Sequence, residues 1–536
     1  MTRNSLKLSN KTLFACAAAA VLFGAGSAHA GSPPPGGTGF YLGINGGYGW
    51  SQNKVTGTPY QSFAPSGNGT AVPAFSHNQG PAGSITGIQG GYNYQINNWV
   101  LGGEGDFDLS GINGAAARVL PDPLRGAGGL ASDGFMSHES IDWLANLRAR
   151  LGYSMDDGLL YATGGLGFEG VQDKYLLSTD VAPSTFSVST ASNANRTEIG
   201  WVAGVGYEYG IAPGWTMRGE YLHYGVGSGK SRVVPEVPCR ATGSACGAIV
   251  NGGKNDIDTL DIGLDYNFGA GAMGQPGYES ASGSVAAVSW TGFYAGINGG
   301  YGWSKNQVTA TPYQNFAPSG SGPVIPAFSH SQGMSGAVTG IQGGYDDQIN
   351  NYVVGGEGDF DLAGINGATA RVLRDPLQGS SGTASDGFMS QESVNWLASL
   401  RARLGYTLNN GVLYATGGLG FEGIQDKYLL STDAADSSVY STSTVSSANR
   451  VVVGWVAGAG YEYPIAPQWT LRGEYLHYGF TPNAVKAVPS VPCSGFSASS
   501  ACGAYVASKN SSIDMLQLGL TYTFGDGFLG RSEDNH

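Results

Sequence analysis

The chain is written twice. Residues 38–50, TGFYLGINGGYGW, return as TGFYAGINGGYGW at 291–303, and WTMRGEYLHYG at 215–225 returns as WTLRGEYLHYG at 469–479. Correspondence runs between these markers, through Trp143 in one copy and Trp396 in the other. A repeat this long is a duplicated domain, because solenoid repeats are roughly 20–50 residues and need neighbours to bury their faces. Both units must therefore adopt one fold. Residues 269–290 between them are rich in Gly, Ala and Ser and read as a linker.

Within a unit, eight segments alternate apolar with small or polar residues at period two. In the first copy they are 40–50, 84–96, 99–109, 140–153, 159–171, 196–209, 215–226 and 256–268. Their lengths suit tilted membrane strands of roughly 9–11 residues with short extensions. Composition points the same way: 89 glycines and 29 tyrosines with charged residues at 12 % exclude a coiled coil and are unlike an ordinary soluble enzyme. The connections alternate in length. Asn97-Asn98, residues 156–158 and residues 210–214 make tight turns, whereas 51–83, 110–139, 172–195 and 227–255 read as long loops. Short turns on one rim and long loops on the other are the pattern of an outer-membrane barrel with its long loops facing outward. The predicted fold is all-β, with two tandem eight-stranded antiparallel up-and-down transmembrane barrels over residues 38–268 and 291–524. One fused sixteen-stranded barrel is the alternative, and pairing of 256–268 with 40–50 or with 293–303 distinguishes the two.

Parity assigns the faces. Leu260, Ile262, Leu264, Tyr266 and Phe268 share one face of the last strand, and Ile199, Trp201, Val205, Tyr207 and Tyr209 form a similar row in the sixth. The opposite parity carries Glu104, Asp106 and Asp108, then Arg148 and Arg150, then Arg218 and Glu220. The second copy repeats this with Glu357, Asp359, Asp361, Arg401, Arg403, Arg472 and Glu474. A solvated face would usually include Lys, but these rows use Arg, whose planar fork pairs with carboxylates in confined space. They are expected to form an ion-pair network inside the barrel. Aromatics such as Phe40, Tyr94, Trp99, Tyr153 and Trp215 fall at one set of strand ends, where an interfacial belt belongs.

Residues 1–12 carry Arg3, Lys7 and Lys11 without an acid, Leu13 to Gly26 is apolar, and Ala28-His29-Ala30 supplies small residues for cleavage. Residues 1–30 are therefore expected to be a signal peptide cut between Ala30 and Gly31, leaving 31–37 ahead of the first barrel and 525–536 as a tail after the second. No other stretch offers 18 uninterrupted apolar residues, so any membrane crossing uses strands. Net charge is −13 with only 26 Lys and Arg, which argues against a nucleic-acid partner. Catalytic chemistry finds little support. His138 becomes Gln391 in the other copy, and neither a His pair nor a Tyr–His pair recurs with convincing spacing. The glycine-rich run at 164–170 lacks a strand-to-helix context. The chain is read as a non-enzyme with no cofactor and no metal site. Cys239 with Cys246 and Cys493 with Cys502 are expected to form local disulfides in the last long loop of each unit, since an exported chain meets an oxidising compartment and the unequal spacings do not preserve a metal geometry.

The runs WTGFYAGINGGYGW at 290–303, LRARLGY at 400–406, LYATGGLGF at 413–421 and WTLRGEYLHY at 469–478 resemble signature strands of the alphaproteobacterial outer-membrane immunogenic proteins. These are small porin-like barrels similar in shape to the OmpA membrane anchor and the opacity proteins. The resemblance spans both units and is specific in the strands. It implies an eight-stranded, surface-exposed, antigenic barrel in the bacterial outer membrane, contacting its lipid and offering loops to host or surface ligands, with haemin binding claimed for some relatives. Two features depart from the family pattern: there are two barrels, with residues continuing past Phe524, and Gly37 stands where Trp290 opens the second copy. The function expected is a structural and surface-interaction role with a plugged lumen. The alternatives are passive diffusion through a sixteen-stranded porin, and ligand capture by the loops.

Overall fold

The computed structural model describes residues 37–59, 74–121, 132–155, 158–181, 186–212, 214–226 and 255–268 of the first unit, and 290–312, 327–374, 385–408, 410–434, 440–466, 468–481 and 511–524 of the second, with short pieces of the last long connection of each. In the first unit the strands are β1 (Gly39–Ser51), β2 (Ala82–Ile96), β3 (Trp99–Pro121), β4 (Ser132–Met155), β5 (Gly158–Val181), β6 (Phe186–Ala212), β7 (Trp215–Val226) and β8 (Asn255–Asn267). In the second they are β9 (Gly292–Pro312), β10 (Phe328–Ile349), β11 (Tyr352–Arg374), β12 (Ser385–Leu408), β13 (Gly411–Ala434), β14 (Tyr440–Ala466), β15 (Trp469–Phe480) and β16 (Ser511–Thr523).

Each set closes on itself. β1 pairs with β2 and also with β8, Tyr41 opposite Asn267 and Ser51 opposite Ile257. β9 pairs with β10 and with β16, Tyr294 opposite Thr523. The last strand of the first unit thus returns to its own first strand. That pairing makes two eight-stranded antiparallel barrels and removes the fused sixteen-stranded alternative. Closure leaves no unpaired edge, which a strand structure inside a bilayer requires. Asn97 and Asn350 turn the chain between neighbouring strands at φ 54° and 56°, a conformation Asn tolerates better than most residues.

The segments read as long loops are largely strand. Residues 110–121 and 132–139 continue β3 and β4, and 172–181 and 186–195 continue β5 and β6. Asn53–Pro59 and Phe75–Gln79 pair with each other above β1, and Ala248–Asn251 joins them. Two irregularities explain why alternation lost the thread. The β3–β4 register shifts between Leu109 and Ile112, and the β4–β5 register shifts between Ile141 and Trp143. A bulge adds one residue to one strand and swaps its faces from there on. Equivalent shifts at Leu362/Ile365 and Val394/Trp396 mark the second barrel.

The two faces of the wall are opposite in character. Leu147 is 62 % exposed and Ile199 64 %, with Leu400 and Val451 at 61 % and 64 % in the second barrel. Side chains of alternate parity at Glu104, Asp106, Arg148, Arg150, Arg218 and Glu220 are buried. Leu264 shares the outward parity of Tyr266 and Phe268 yet is 2 % exposed, as is its counterpart Leu520 at 3 %, so that row is apolar but not uniformly open. Among the described residues no helix is long and apolar enough to cross a membrane.

The interior is layered. Nearest the short turns lies the charged layer. Beyond it Ile85, Ile112, Ile141, Leu144, Val202 and Tyr224 pack into one buried apolar cluster. Farther out Val55, Leu120, Phe135, Tyr175, Leu177 and Val250 make another. The second barrel repeats both clusters.

Candidate functional site

The charged layer is built by register. Glu104 on β3 stands opposite Arg148 on β4, Glu208 on β6 opposite Arg218 on β7, and Glu220 on β7 opposite Asp261 on β8. Inward parity then sends these side chains to one level. Arg148 Nη2 lies 2.9 Å from Glu104 Oε1 and 2.6 Å from Asp106 Oδ2, while its Nη1 lies 2.9 Å from Glu220 Oε1. Arg218 Nη1 reaches the other oxygen of Glu104 at 2.8 Å. Arg150 Nη2 pairs with Glu208 Oε1 at 2.6 Å, and its guanidinium lies 4.0 Å over the Tyr161 ring. Tyr41 Oη donates to Glu104 Oε2 at 2.6 Å.

The second barrel repeats the arrangement. Arg401 sits 2.7 Å from Asp359 and 3.0 Å from Glu474 and also contacts Glu357. Arg472 contacts Glu357 and lies 3.3 Å from Glu474. Arg403 pairs with Glu462 at 2.9 Å and Asp346 at 3.3 Å, 3.9 Å over the Tyr414 ring. Asp108 and Asp361 are buried at the same parity but lie outside these ion pairs, on the side of the apolar cluster.

Each arginine fork bridges carboxylates from different strands, so the layer cross-links the cylinder from within and fills it with side chains. Small residues make room for it. A Cβ built on Gly102 would sit 2.9 Å from Arg150 Cγ, and one built on Gly263 would sit 3.1 Å from Arg218 Nε. Eight-stranded barrels have interiors just wide enough for side chains, and bulky ion pairs use that width fully.

Several members were not singled out from the sequence. Glu208 and Glu462 sit between Tyr207 and Tyr209, and between Tyr461 and Tyr463, where alternation alone puts them inside. Tyr41, Tyr161, Gln89 and Asp265 carry the same inward parity, but a lone polar residue on a strand gives no signal until its partner strand is known. Gln89 Nε2 donates to Asp265 Oδ1 at 2.6 Å across the β1 seam.

Two histidine clusters recur that sequence spacing had not suggested. Tyr221 Oη donates to Asp258 Oδ1 at 2.6 Å and His223 Nδ1 lies 2.8 Å from the same oxygen, on the outer wall beside Trp201. Tyr475, His477 and Asp514 repeat this beside Trp455, so a Tyr–His pair does recur, brought together by an aspartate on the next strand. In the far interior His77 Nε2 lies 2.8 Å from Ser137 Oγ, and that hydroxyl donates to Gln79 Oε1 at 3.1 Å. His330, Ser390 and Gln332 match it. Burial, with Arg118 nearby, holds the His77 imidazole down at about 4 and hence neutral near pH 7. Ser137 thus links the His77 ring to the Gln79 side chain through its hydroxyl. Among the described residues no group of three His, Cys, Asp or Glu is arranged to hold a metal ion. The cleavage site at Ala30 and Gly31, the thiols of Cys239, Cys246, Cys493 and Cys502, and the residues of the 269–289 segment lie outside the described atoms.

Comparison with known proteins agrees with this architecture. Residues 16–268 and 279–524 each match the family described as the outer membrane protein beta-barrel domain. The 31 kDa outer-membrane immunogenic protein of Brucella melitensis biotype 1 is 34 % identical over 195 residues, covering 36 % of this chain and 72 % of that protein. The 25 kDa outer-membrane immunogenic protein of Brucella abortus biovar 1 is 28 % identical over 189 residues, 35 % of this chain and 65 % of that protein. Among solved structures, Ail, the attachment invasion locus protein of Yersinia pestis, overlays 44 % of this chain and 99 % of its own length at 14 % identity, with a TM-score of 0.19. With two closed barrels, an outward apolar wall and two matches spanning nearly all of both units, the chain belongs to the outer membrane protein beta-barrel domain family and resides in the bacterial outer membrane in contact with its lipid.

Proposed function

We propose that the chain acts as a surface-interaction protein rather than a conduit, holding two sealed barrels in the outer membrane and presenting the long-connection end of each to the outside. The single observation that carries this is the filled interior, in which an ion-pair layer is followed by two apolar clusters. Water and solutes need a continuous polar lane, and two apolar clusters across the interior interrupt one. Support for an antigen-like role comes from the relatives named outer-membrane immunogenic proteins. In the same proposal residues 1–30 are removed after Ala30, 269–290 link the barrels and 525–536 trail the second. Cys239 joins Cys246 and Cys493 joins Cys502, as an oxidising compartment favours.

Single-channel recording in planar bilayers tests it. Purified protein should give no stable nanosiemens-scale steps, because only larger barrels leave an aqueous channel. Persistent steps of that size would overturn the sealed interior and point instead to passive diffusion.

A further inference from the structure

The outer wall is not greasy all the way round. On β1, β2 and β3 the outward positions include Gly46, Ser84, Thr86, Gly111 and Ala115. These residues meet the second barrel, and the contacts are reciprocal. Lys174 Nζ donates to Ala368 O at 2.7 Å, and Lys427 Nζ donates to Ala115 O at 2.6 Å. A Cβ built on Gly46 would sit 2.8 Å from Thr339 Oγ1, and one built on Gly299 would sit 2.7 Å from Thr86 Oγ1. Gly111 and Gly364 face each other so closely that a Cβ on either would lie 2.5 Å from the other's Cα. Ser84 Oγ donates to the carbonyl of Ala337.

Sequence alignment of the copies gives these contacts their meaning. Lys427, Ala368, Gly364, Thr339, Ala337 and Gly299 occupy in the second unit the places of Lys174, Ala115, Gly111, Thr86, Ser84 and Gly46 in the first. Each contact therefore recurs between the counterparts of its two residues, and Gly111 and Ser84 touch their own counterparts. That is the pattern of an isologous interface, with a two-fold axis between Gly111 and Gly364. Beyond the membrane band Met136, Leu176, Met389 and Leu429 point outward yet are fully buried, because they pack into one cluster shared by both barrels.

We propose that this face is a self-complementary dimer surface and that the tandem chain is a covalently joined dimer, its two barrels held wall to wall by the interface rather than by the linker alone. The partner is a second copy of the unit. Without a hydrophobic driving force in lipid, association relies on close packing and hydrogen bonds, and glycines let two backbones approach. Carbonyls and lysines supply the bonds, and no other outward wall offers this combination among the described residues. The inference is independent of whether either lumen conducts.

The test uses the full chain with a protease site inserted between residues 269 and 289 and a tag on one half. After cleavage in native outer membranes and extraction in mild detergent, the tagged half should carry the other half with it. Gly111→Trp with Gly364→Trp should lower that recovery at least tenfold while each half keeps the heat-shifted gel mobility of a folded barrel. A second readout does not depend on that variant folding. Ser84→Cys with Ala337→Cys should be joined across the cleaved halves by a short thiol cross-linker, whereas Leu147→Cys with Leu400→Cys, on the lipid-exposed walls, should behave like the parent chain. Separation of unaltered halves after cleavage, or equal cross-linking of both cysteine pairs, would overturn the proposal.

Discussion

Replacing Arg148 with leucine should lower the unfolding temperature of the first barrel by about 10 °C. The Arg148 guanidinium is fully buried and holds Glu104, Asp106 and Glu220 at 2.9, 2.6 and 2.9 Å. Removing one partner of a buried ion pair costs roughly 3–5 kcal/mol, and here it leaves Asp106 and Glu220 only the longer contacts to Arg218 at 3.9 and 3.6 Å, while Glu104 keeps Arg218 at 2.8 Å. For a unit of this size each kcal/mol moves the midpoint by about 2–4 °C. The temperature at which the heat-shifted gel band disappears measures this. Adding Glu220→Gln and Asp106→Asn to Arg148→Leu should recover most of the loss, since a neutral, satisfied interior does not need the cation. A triple variant no more stable than the single one would mean that these carboxylates do not depend on Arg148.

The second large effect comes from the adjacent residue on the opposite face. Leu147→Arg places a charge on a wall position that is 62 % exposed. A cation on the lipid face of a barrel costs roughly 2–4 kcal/mol at the bilayer midplane and little near the interface. The two neighbours should therefore separate by solvent. Arg148→Leu should destabilise the barrel equally in detergent and in bilayers, because its partners are inside. Leu147→Arg should reduce folding yield into lipid vesicles several-fold while leaving the detergent-solubilised barrel almost unchanged. Equal sensitivity of Leu147→Arg in both media would show that residue 147 does not face the hydrocarbon.

Period two made much of this legible before any coordinates. Glu104, Arg148 and Arg218 lie on one parity and Leu147, Leu151 and Trp201 on the other, and a strand can only send alternate side chains to opposite faces. Alternation is legible only as far as the period holds. One extra residue near Gly111 and another near Asp142 exchange the faces of β3 and β4, so Ile112, Leu120 and Phe135 looked like loop residues although they close the interior. Glu208 and Tyr41 were legible in parity but not in partnership, which depends on strand order around a ring. The contact of Gly111 with Gly364 links positions far apart in sequence and was invisible to a reading that takes one strand at a time.

The central claim is that the apolar faces meet lipid while the charged faces meet each other. Spin-label accessibility in reconstituted bilayers tests this directly. Nitroxides placed singly at Leu147, Leu166 and Val205 should be strongly relaxed by lipid-soluble oxygen, since these wall positions are 62 %, 54 % and 55 % exposed. Labels at Asn146, Thr163 and Gln89, which point into the filled interior, should be shielded from oxygen and from water-soluble nickel reagents alike. Oxygen relaxation stronger at Asn146 and Thr163 than at Leu147 and Leu166 would contradict it.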